Sequence, residues 1–444
     1  MAADFLAYRL PFGNVNMAAG YRVKTVRFES GERLPMLLCK ESGSPLWHPN
    51  LFLVTELRAA GLATNTLEHA ARAVMIAHQV FRHLGIDIHD RINDGRLFTL
   101  GEVELLTKLV GLRQDELDAL SQVDESARAV VSRVVTLEQA RMRPTVKAPA
   151  QVSANTKGTR MAYIRDYISW LTAGRRLKLE VGHPHSQSLL EATQTFVGLV
   201  NARMPSRQSA QASRQGVDAE VRARILEVID PDSADNPWKN RHVRVRNQLI
   251  FLWLLLLGVR NGELLATYAS DVNIRTGEVT IVRRPGNPEE PRNSAPLVKT
   301  RGRLLALGPD LADLIKGYIM GERAKIKGAR RHPYLFVATG TGQPLSKPAL
   351  NKLFRELRSK VPGLPDDLSP HVLRHTWNDD FSDLMDSQGV AAEDEERMRT
   401  QTMGWSPRSK MASHYTKRHV QRKSNEASLE MQAKSFSRPV RRSR

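Results

Sequence analysis

The chain has 444 residues, 41% of them hydrophobic, which is enough for two or three packed domains and too apolar for a disordered polymer. Its 66 Lys and Arg against 47 Asp and Glu leave a formal charge of +19, which favours a polyanionic partner, nucleic acid first. The longest apolar run, Leu249 to Gly258, is about half of the roughly 20 residues that span a bilayer; the single Cys39 excludes an internal disulfide and a cysteine-rich zinc site; and neither HExxH nor GxxxxGKS/T occurs.

In chain order, residues 1–50 mix short β-leaning pieces such as Tyr21 to Phe28 with Gly and Pro, and read as an arm or cap without a legible role. From Leu51 to Leu112 the pattern turns helical. Asn65 or Thr66 can cap a helix whose apolar side carries Leu67, Ala70, Val74, Ala77 and Phe81. Residues 141–157, RMRPTVKAPAQVSANTK, read as a connector, and residues 203–216 as a second break. Between them a helix is expected over Met161–Leu171, so that 51–205 forms a helical bundle. Beyond Gly216 a mixed domain, 217–425, is expected. Its helix at about Val245–Leu257 precedes strands Val279–Val282 and Leu304–Leu307 and helices near Leu311–Lys325, Ala349–Arg358 and His371–Met385. Residues 426–444 form a basic tail, with ASLEMQAK (427–434) as a short helix.

Four segments carry chemistry. In LLLLGVRNGELLAT, residues 254–267, an apolar helix ends at Gly258 and delivers Arg260 and Glu263; alone, these read as an ion pair closing a helix end. LVKTRGRLLAL, residues 297–307, puts Lys299 and Arg303 beside a β-like run that can pair with EVTIV as a hairpin. SPHVLRHTW, residues 369–377, sets His371 and Arg374 three apart, on one helix face; alone, it is a solvated helix start. MGWSPRSKMASHYTKRH, residues 403–419, is a Gly- and Pro-broken turn leading into Tyr415 among basic residues.

Jointly and in this order, across roughly 240–425, the segments resemble the tyrosine recombinases, the phage integrase family. That family's motifs are an Arg in a GLRxxEL-like segment, a hairpin Lys, an HxxRH pair and a LGH-like turn before the nucleophilic Tyr. Here they read GVRNGEL (258–264), Lys299, HVLRH (371–375), MGW (403–405) and Tyr415. Trp405 stands where the family usually has a second His, and its indole N–H can still donate to phosphate. Trp405 and Tyr415 are ten apart, one more than the commonest spacing in the family, and the hairpin loop is long, so Arg283, Arg284 and Lys327 rival Lys299 for the acid role.

The resemblance implies a multidomain, mainly α protein: a helical, core-binding-like DNA clamp followed by an α+β catalytic domain with a small antiparallel sheet. It implies a site-specific DNA recombinase working on double-stranded DNA, assembling as a tetramer on paired sites, without metal, cofactor or ATP, in the cytoplasm at the DNA. Catalytic roles fall on Arg260, Lys299, His371, Arg374, Trp405 and Tyr415, with Glu263 and His375 orienting the arginines. Lys157, Arg160 and Arg165 are candidate backbone contacts in the clamp, with an ordinary solvated face as the alternative for each.

Metal-free phosphoryl transfer needs a cationic cradle, a nucleophile and a proton donor, and these residues supply all three. Arg260 and Arg374 can stabilise the growing phosphate charge, His371 is assigned as the acceptor of the phenolic proton, and Lys299 as donor to the leaving 5′ oxygen. Competing readings are a type IB topoisomerase that nicks and reseals without exchange, an inactive DNA-binding relative, and a metal-dependent transposase using Asp366, Asp367, Asp379 and Asp380.

Overall fold

The computed structural model describes residues 20–122, 149–206, 216–292, 295–296, 298 and 300–436. Lys299 and the first part of the connector, 141–148, lie outside the described residues. Among the described residues the architecture is mainly α with two small antiparallel sheets, and the chain divides into two compact units, one of residues 1–28 with 32–211 and one of residues 29–31 with 212–444.

The first unit contains a hairpin, β1 (Tyr21–Arg27) and β2 (Arg33–Cys39), paired from Tyr21↔Cys39 to Arg27↔Arg33. Strand alternation exposes Arg22 and Lys24 while Tyr21 and Val23 pack on the bundle core. The bundle is α1 (Trp47–Phe52), which runs into a π-helical turn at Leu53–Arg58, then α2 (Thr64–His83), α3 (Ile88–Asn93), α4 (Leu100–Leu109), α5 (Gln114–Gln122), α6 (Ala154–Arg176) and α7 (Pro184–Ala202). Leu67, Ala70, Val74, Ala77 and Phe81, the stripe expected on α2, are all buried. The helix nonetheless starts before both expected caps: Ala63 is the N-cap and contributes only its carbonyl, which accepts the Thr66 and Leu67 N–H groups. Burial of the stripe, rather than a side-chain cap, sets the start.

The connector ends earlier than its composition suggests. Ser153 accepts the Thr156 N–H and caps α6, so residues 154–157 are the first turn of that helix and Lys157 sits on it, half-buried. Arg160 donates to the Val110 and Leu112 carbonyls at 2.8 and 2.7 Å, closing the end of α4. Arg165 donates to Asp166 and to Asn201 on α7. Both guanidiniums thus satisfy groups of the bundle itself, because the orphan carbonyls of a helix end need donors.

The second unit runs α8 (Ala219–Ile229), α9 (Arg241–Leu257), α10 (Asn261–Ala266), β3 (Val272–Asn273), β4 (Glu278–Ile281), β5 (Arg303–Ala306), α11 (Pro309–Gly317) with a π-helical turn at Tyr318–Arg323, α12 (Lys347–Lys360), α13 (Pro370–Ser387), α14 (Ala392–Met403) and α15 (Met411–Phe436). The sheet is β3–β4–β5, antiparallel throughout, with Val279 opposite Leu305. Its core forms round α9, where Ile250, Phe251, Trp253 and Leu254 are fully buried, and α13 packs against that helix. The strands begin one residue earlier than their sequence pattern, and the expected tail helix 427–434 is the end of the longer α15.

Gly258 ends α9 in the left-handed region at φ +56°, and a Cβ there would stand 2.7 Å from the Trp377 ring. Only glycine meets both demands, and the turn it makes puts Arg260 at the N-cap of α10. Gly258→Ala should therefore lower unfolding stability by about 1–3 kcal/mol, read as a lower urea midpoint of the full chain; an unchanged midpoint would refute this account of the turn.

Candidate active site

Five elements of the second unit converge here. The α9–α10 turn supplies Arg260 and Glu263, the start of β5 supplies Arg303, α13 supplies His371, Arg374 and His375, the turn after α14 supplies Trp405, and the first turns of α15 supply Tyr415. On α13, Ser369 accepts the Val372 N–H as N-cap and Pro370 opens the helix, so His371 lies in the exposed first turn while Arg374 and His375 lie one turn deeper. Gly404 ends α14 at φ +64°, and a Cβ there would meet Arg303 and the Arg301 carbonyl. The chain reverses at this point and α15 begins at Met411, so Tyr415 stands on a helix rather than in an extended turn.

Tyr415 is 2% exposed. Its ring stacks on Trp405, with centroids 5.8 Å apart and planes 8° from parallel, and its Oη lies 2.9 Å from His375 Nδ1. His375, placed by the sequence reading behind the arginines, is thus a partner of the phenol, and His371 stands edge-on to the His375 ring at 4.4 Å. Residues i and i+4 share a helix face, and the deeper of the two reaches α15.

Arg374 is also 2% exposed and donates to the Gly258 carbonyl, with its guanidinium 5.6 Å from the Trp405 ring centre. Burial, then the neighbouring Arg260, pushes its pKa down to about 9, with Glu263 opposing; it remains a cation at neutral pH. Burial likewise lowers the pKa of Arg260, against the pull of Glu263. Both guanidiniums feel the charge state of Tyr415. Arg260 Nη1, Arg374 Nη2 and Trp405 Nε1 are buried and have no hydrogen-bond partner among the described residues. A buried donor left unpaired costs about 1–3 kcal/mol, so three in one place mark a site built to receive an acceptor from outside.

Glu263 is fully buried, and its closest cationic partner is Arg303. Its carboxylate takes Arg303 Nη2 at 2.9 Å and the Thr300 hydroxyl, whereas Arg260 Nη1 is 3.7 Å away. It also accepts the Arg260 backbone N–H at 3.0 Å, fixing that residue through its main chain. Burial pushes the Glu263 carboxyl up, but the hydrogen bonds and charge of Arg303, with further help from Arg374 and Thr300, hold it below its ordinary value. Arg303 also donates to the Thr402 carbonyl, and the Arg301 N–H to the Gly404 carbonyl at 2.9 Å, which ties β5 to the turn before Trp405.

Two arginines here escaped sequence reading. Arg303 lay within a quoted motif but looked like a hairpin cation. Arg399, on α14, is fully buried among Glu395, Ser382 and Asn378, with its guanidinium 5.6 Å from the Tyr415 ring centre. The spacing of Glu395 and Arg399, i and i+4, was the available signal.

Of the rivals for the acid role, Arg284 is taken up by Asp271 and by the Tyr268 ring at 3.8 Å, while Arg283 and Lys327 are exposed. Lys299 is outside the described residues; on either side of it Val298 and Thr300 are buried. Two of the four aspartates of the transposase reading serve the fold: Asp379 accepts the Gly216 N–H and Asp380 pairs with Arg222. Among the described residues no group of three or more His, Cys, Asp and Glu could hold a metal ion, and no helix is long and apolar enough to cross a membrane.

Arg303→Met should strand a buried carboxylate and cost about 3–5 kcal/mol, with Glu263→Gln in the same chain recovering part of it. Because the Glu263 pKa is lowered from 4.5 on folding, the pair's contribution is complete above that pH and is lost as pH falls through the lower native value. Denaturant titrations at pH 7 and pH 4 would test this: a single-variant loss no larger than the double variant's would refute it.

Residues 227–422 match the Phage integrase family. The tyrosine recombinase XerD of Vibrio vulnificus is 24% identical over 180 residues, 40% of this chain and 50% of that protein. The integrase/recombinase y4rF of Sinorhizobium fredii is 29% identical over 155 residues, 34% of this chain and 31% of that protein. The chain spans half or less of the length of these curated relatives. Among solved structures, the XerH site-specific recombinase bound to palindromic difH substrate is matched over 82% of this chain and 97% of that one, at 15% identity and a TM-score of 0.39. With the four motif segments gathered round one buried phenol and the family match lying over them, residues 227–422 are a domain of the phage integrase family, the family of the tyrosine recombinases.

Proposed function

We propose that this protein is a site-specific DNA recombinase or integrase that cuts and rejoins double-stranded DNA through a 3′-phosphotyrosyl intermediate on Tyr415, with neither metal nor ATP. The observation that carries this reading is the cluster of three buried donors without a hydrogen-bond partner among the described residues, Arg260 Nη1, Arg374 Nη2 and Trp405 Nε1, beside a buried phenol. A scissile phosphate supplies the missing acceptors, and donors already in place need no reorganisation when charge grows on its non-bridging oxygens. Forming a phenolate at neutral pH from a group of reference pKa near 10 costs about 4 kcal/mol. The cations of Arg260, Arg374 and Arg399 offset part of it, since each interacts with the charge on Tyr415. Lys299 is assigned the proton delivered to the leaving 5′ oxygen, and His371, exposed in the first turn of α13, a rim contact to the phosphate. Assembly as a tetramer on paired sites follows from the family likeness alone, as does a clamp role for residues 51–205. In that clamp Lys157 is the remaining candidate for a backbone contact, since Arg160 and Arg165 are engaged within the bundle.

A nicked substrate that loses its 5′-hydroxyl fragment should trap the protein covalently on the 3′ phosphate, equally well in excess EDTA. Tyr415→Phe should abolish the adduct and leave DNA affinity within a few-fold. An adduct that persists in the variant, maps to another residue or vanishes with EDTA would overturn the reading.

Lys299→Ala should slow cleavage of an ordinary substrate far more than of one whose leaving 5′ oxygen is replaced by sulfur, because a thiolate departs unprotonated. Equal slowing on both would move the acid role to Arg283 or Lys327.

A further inference from the structure

Residues 282–302 join β4 to β5, far more chain than the roughly two to five residues that close most hairpins. Among the described residues of this loop there is no helix or strand, so side chains must pin its middle if it is to keep one position. Glu290 and Arg292 do so. They form a two-pronged ion pair, Arg292 Nε to Glu290 Oε1 at 2.7 Å and Nη2 to Oε2 at 2.6 Å, with side chains 8% and 4% exposed for the arginine and the glutamate. Both Nη atoms of Arg292 also donate to the Leu265 carbonyl at 3.1 Å, and Nη1 donates to the Leu345 carbonyl at 2.7 Å. The Tyr334 hydroxyl donates to Glu290 Oε2 at 2.7 Å, and the Arg292 guanidinium lies 4.5 Å from the Tyr334 ring centre. A forked, desolvated pair bonded to the body of the domain holds position in a way that an exposed ion pair does not. Leu265 is in the last turn of α10, whose N-cap is Arg260, so one six-residue helix, about 9 Å long, separates the pinned loop from a cradle arginine. Further along, Val298 joins the apolar core and Thr300 bonds Glu263, so the chain is fastened both before and after Lys299.

We propose that Glu290 and Arg292 are positioning residues for the proton donor: by fastening the long loop to the end of α10, they hold Lys299 within reach of the leaving 5′ oxygen of a phosphate bound by Arg260. This rests on the phosphotyrosyl reading and on the acid role given to Lys299 above. In that step the Lys299 ammonium passes one proton to the 5′ oxygen as its bond to phosphorus breaks, leaving a neutral amine and a 5′ hydroxyl; Glu290 and Arg292 act only through the loop. The physical reason is the volume that a tethered ammonium samples. Pinning the middle of the loop shortens the tether behind Lys299 to a few residues and concentrates its ammonium in one place. Proton transfer requires hydrogen-bond reach, and a misplacement of about 1 Å costs up to about 10²-fold in rate. Arg284, near the start of the same loop, pairs with Asp271 and lies 3.8 Å from the Tyr268 ring centre, so the first part of the loop is held too.

The test compares single-turnover adduct formation by the full-length protein on two substrates that differ only in the leaving 5′ atom, oxygen in one and sulfur in the other. Glu290→Gln combined with Arg292→Met removes both charges together and keeps an acceptor for the Tyr334 hydroxyl, so no lone buried charge is left. This double variant should cleave the oxygen substrate about 10-fold more slowly, or worse, and the sulfur substrate within about threefold of wild type, with DNA affinity unchanged. Arg292→Lys keeps the charge but not the fork, and should show the same oxygen-specific slowing to a smaller degree. In a chain that already carries Lys299→Ala, the double change should slow the oxygen substrate by less than about threefold more, because the group it positions is gone. A role in the fold or the cradle alone would slow both substrates alike. That outcome overturns the proposal, as does wild-type cleavage of both substrates, or a loss that adds in full to that of Lys299→Ala. If the double variant lacks the wild-type urea transition, Arg292→Lys decides by the same oxygen-to-sulfur ratio. Failure of the underlying reading looks different: Lys299→Ala itself slows both substrates equally, or Tyr415→Phe still forms the adduct.

Discussion

The buried ion pair of Glu263 and Arg303 is the constraint on which the rest of the second unit's candidate site depends. Two charges removed from water must be matched to each other and have their remaining hydrogen-bonding capacity filled, or the desolvation cost is unrecovered. Here that demand is met by three separate pieces of chain. Glu263 comes from the turn after α9, Arg303 and Thr300 from the return strand of the hairpin, and the Thr402 carbonyl from the end of α14. Satisfying one carboxylate therefore fixes the positions of the segments that carry Arg260, the stretch either side of Lys299, and the turn into Trp405. A second bond, from the Arg301 N–H to the Gly404 carbonyl, repeats the tie.

Around that anchor the domain holds an electrostatic imbalance. Arg260, Arg374 and Arg399 gather near a single phenol, with Glu395 on Arg399 and the Glu263 carboxylate already committed to Arg303. The left-over N–H donors of Arg260, Arg374 and Trp405 are a local cost that most buried groups avoid. Such a cost is tolerable where the surrounding packing is over-determined, as it is by the Phe251, Trp253 and Leu254 core behind α9. In the proposed reaction the two non-bridging oxygens of a phosphodiester are their complement, and the same bonds would strengthen as negative charge accumulates on those oxygens.

The first unit shows the opposite use of arginine. Arg160 and Arg165, basic residues on a helix of a basic protein, direct their donors to carbonyls and side chains of their own bundle. Net charge describes the whole chain's field and says nothing about which cation is free. The same distinction holds for Arg284 and Arg292 in the second unit, where Asp271 and Glu290 absorb the charge.

From the residues alone came the domain's family, the helical bundle and mixed domain, the apolar stripe of α2, and the segments whose Arg260, Arg374, Trp405 and Tyr415 the fold brings together, because periodicity and motif spacing are local properties of the chain. What tertiary structure decided was partnership. That Glu263 meets Arg303, that Arg399 reaches Tyr415, and that the phenol meets His375 depend on contacts 40, 16 and 40 residues apart along the chain, set by how α9, β5, α13, α14 and α15 pack. A one-turn difference in depth along α13 separates an exposed histidine from a buried one, and no sequence pattern records which turn faces a helix that begins at Met411.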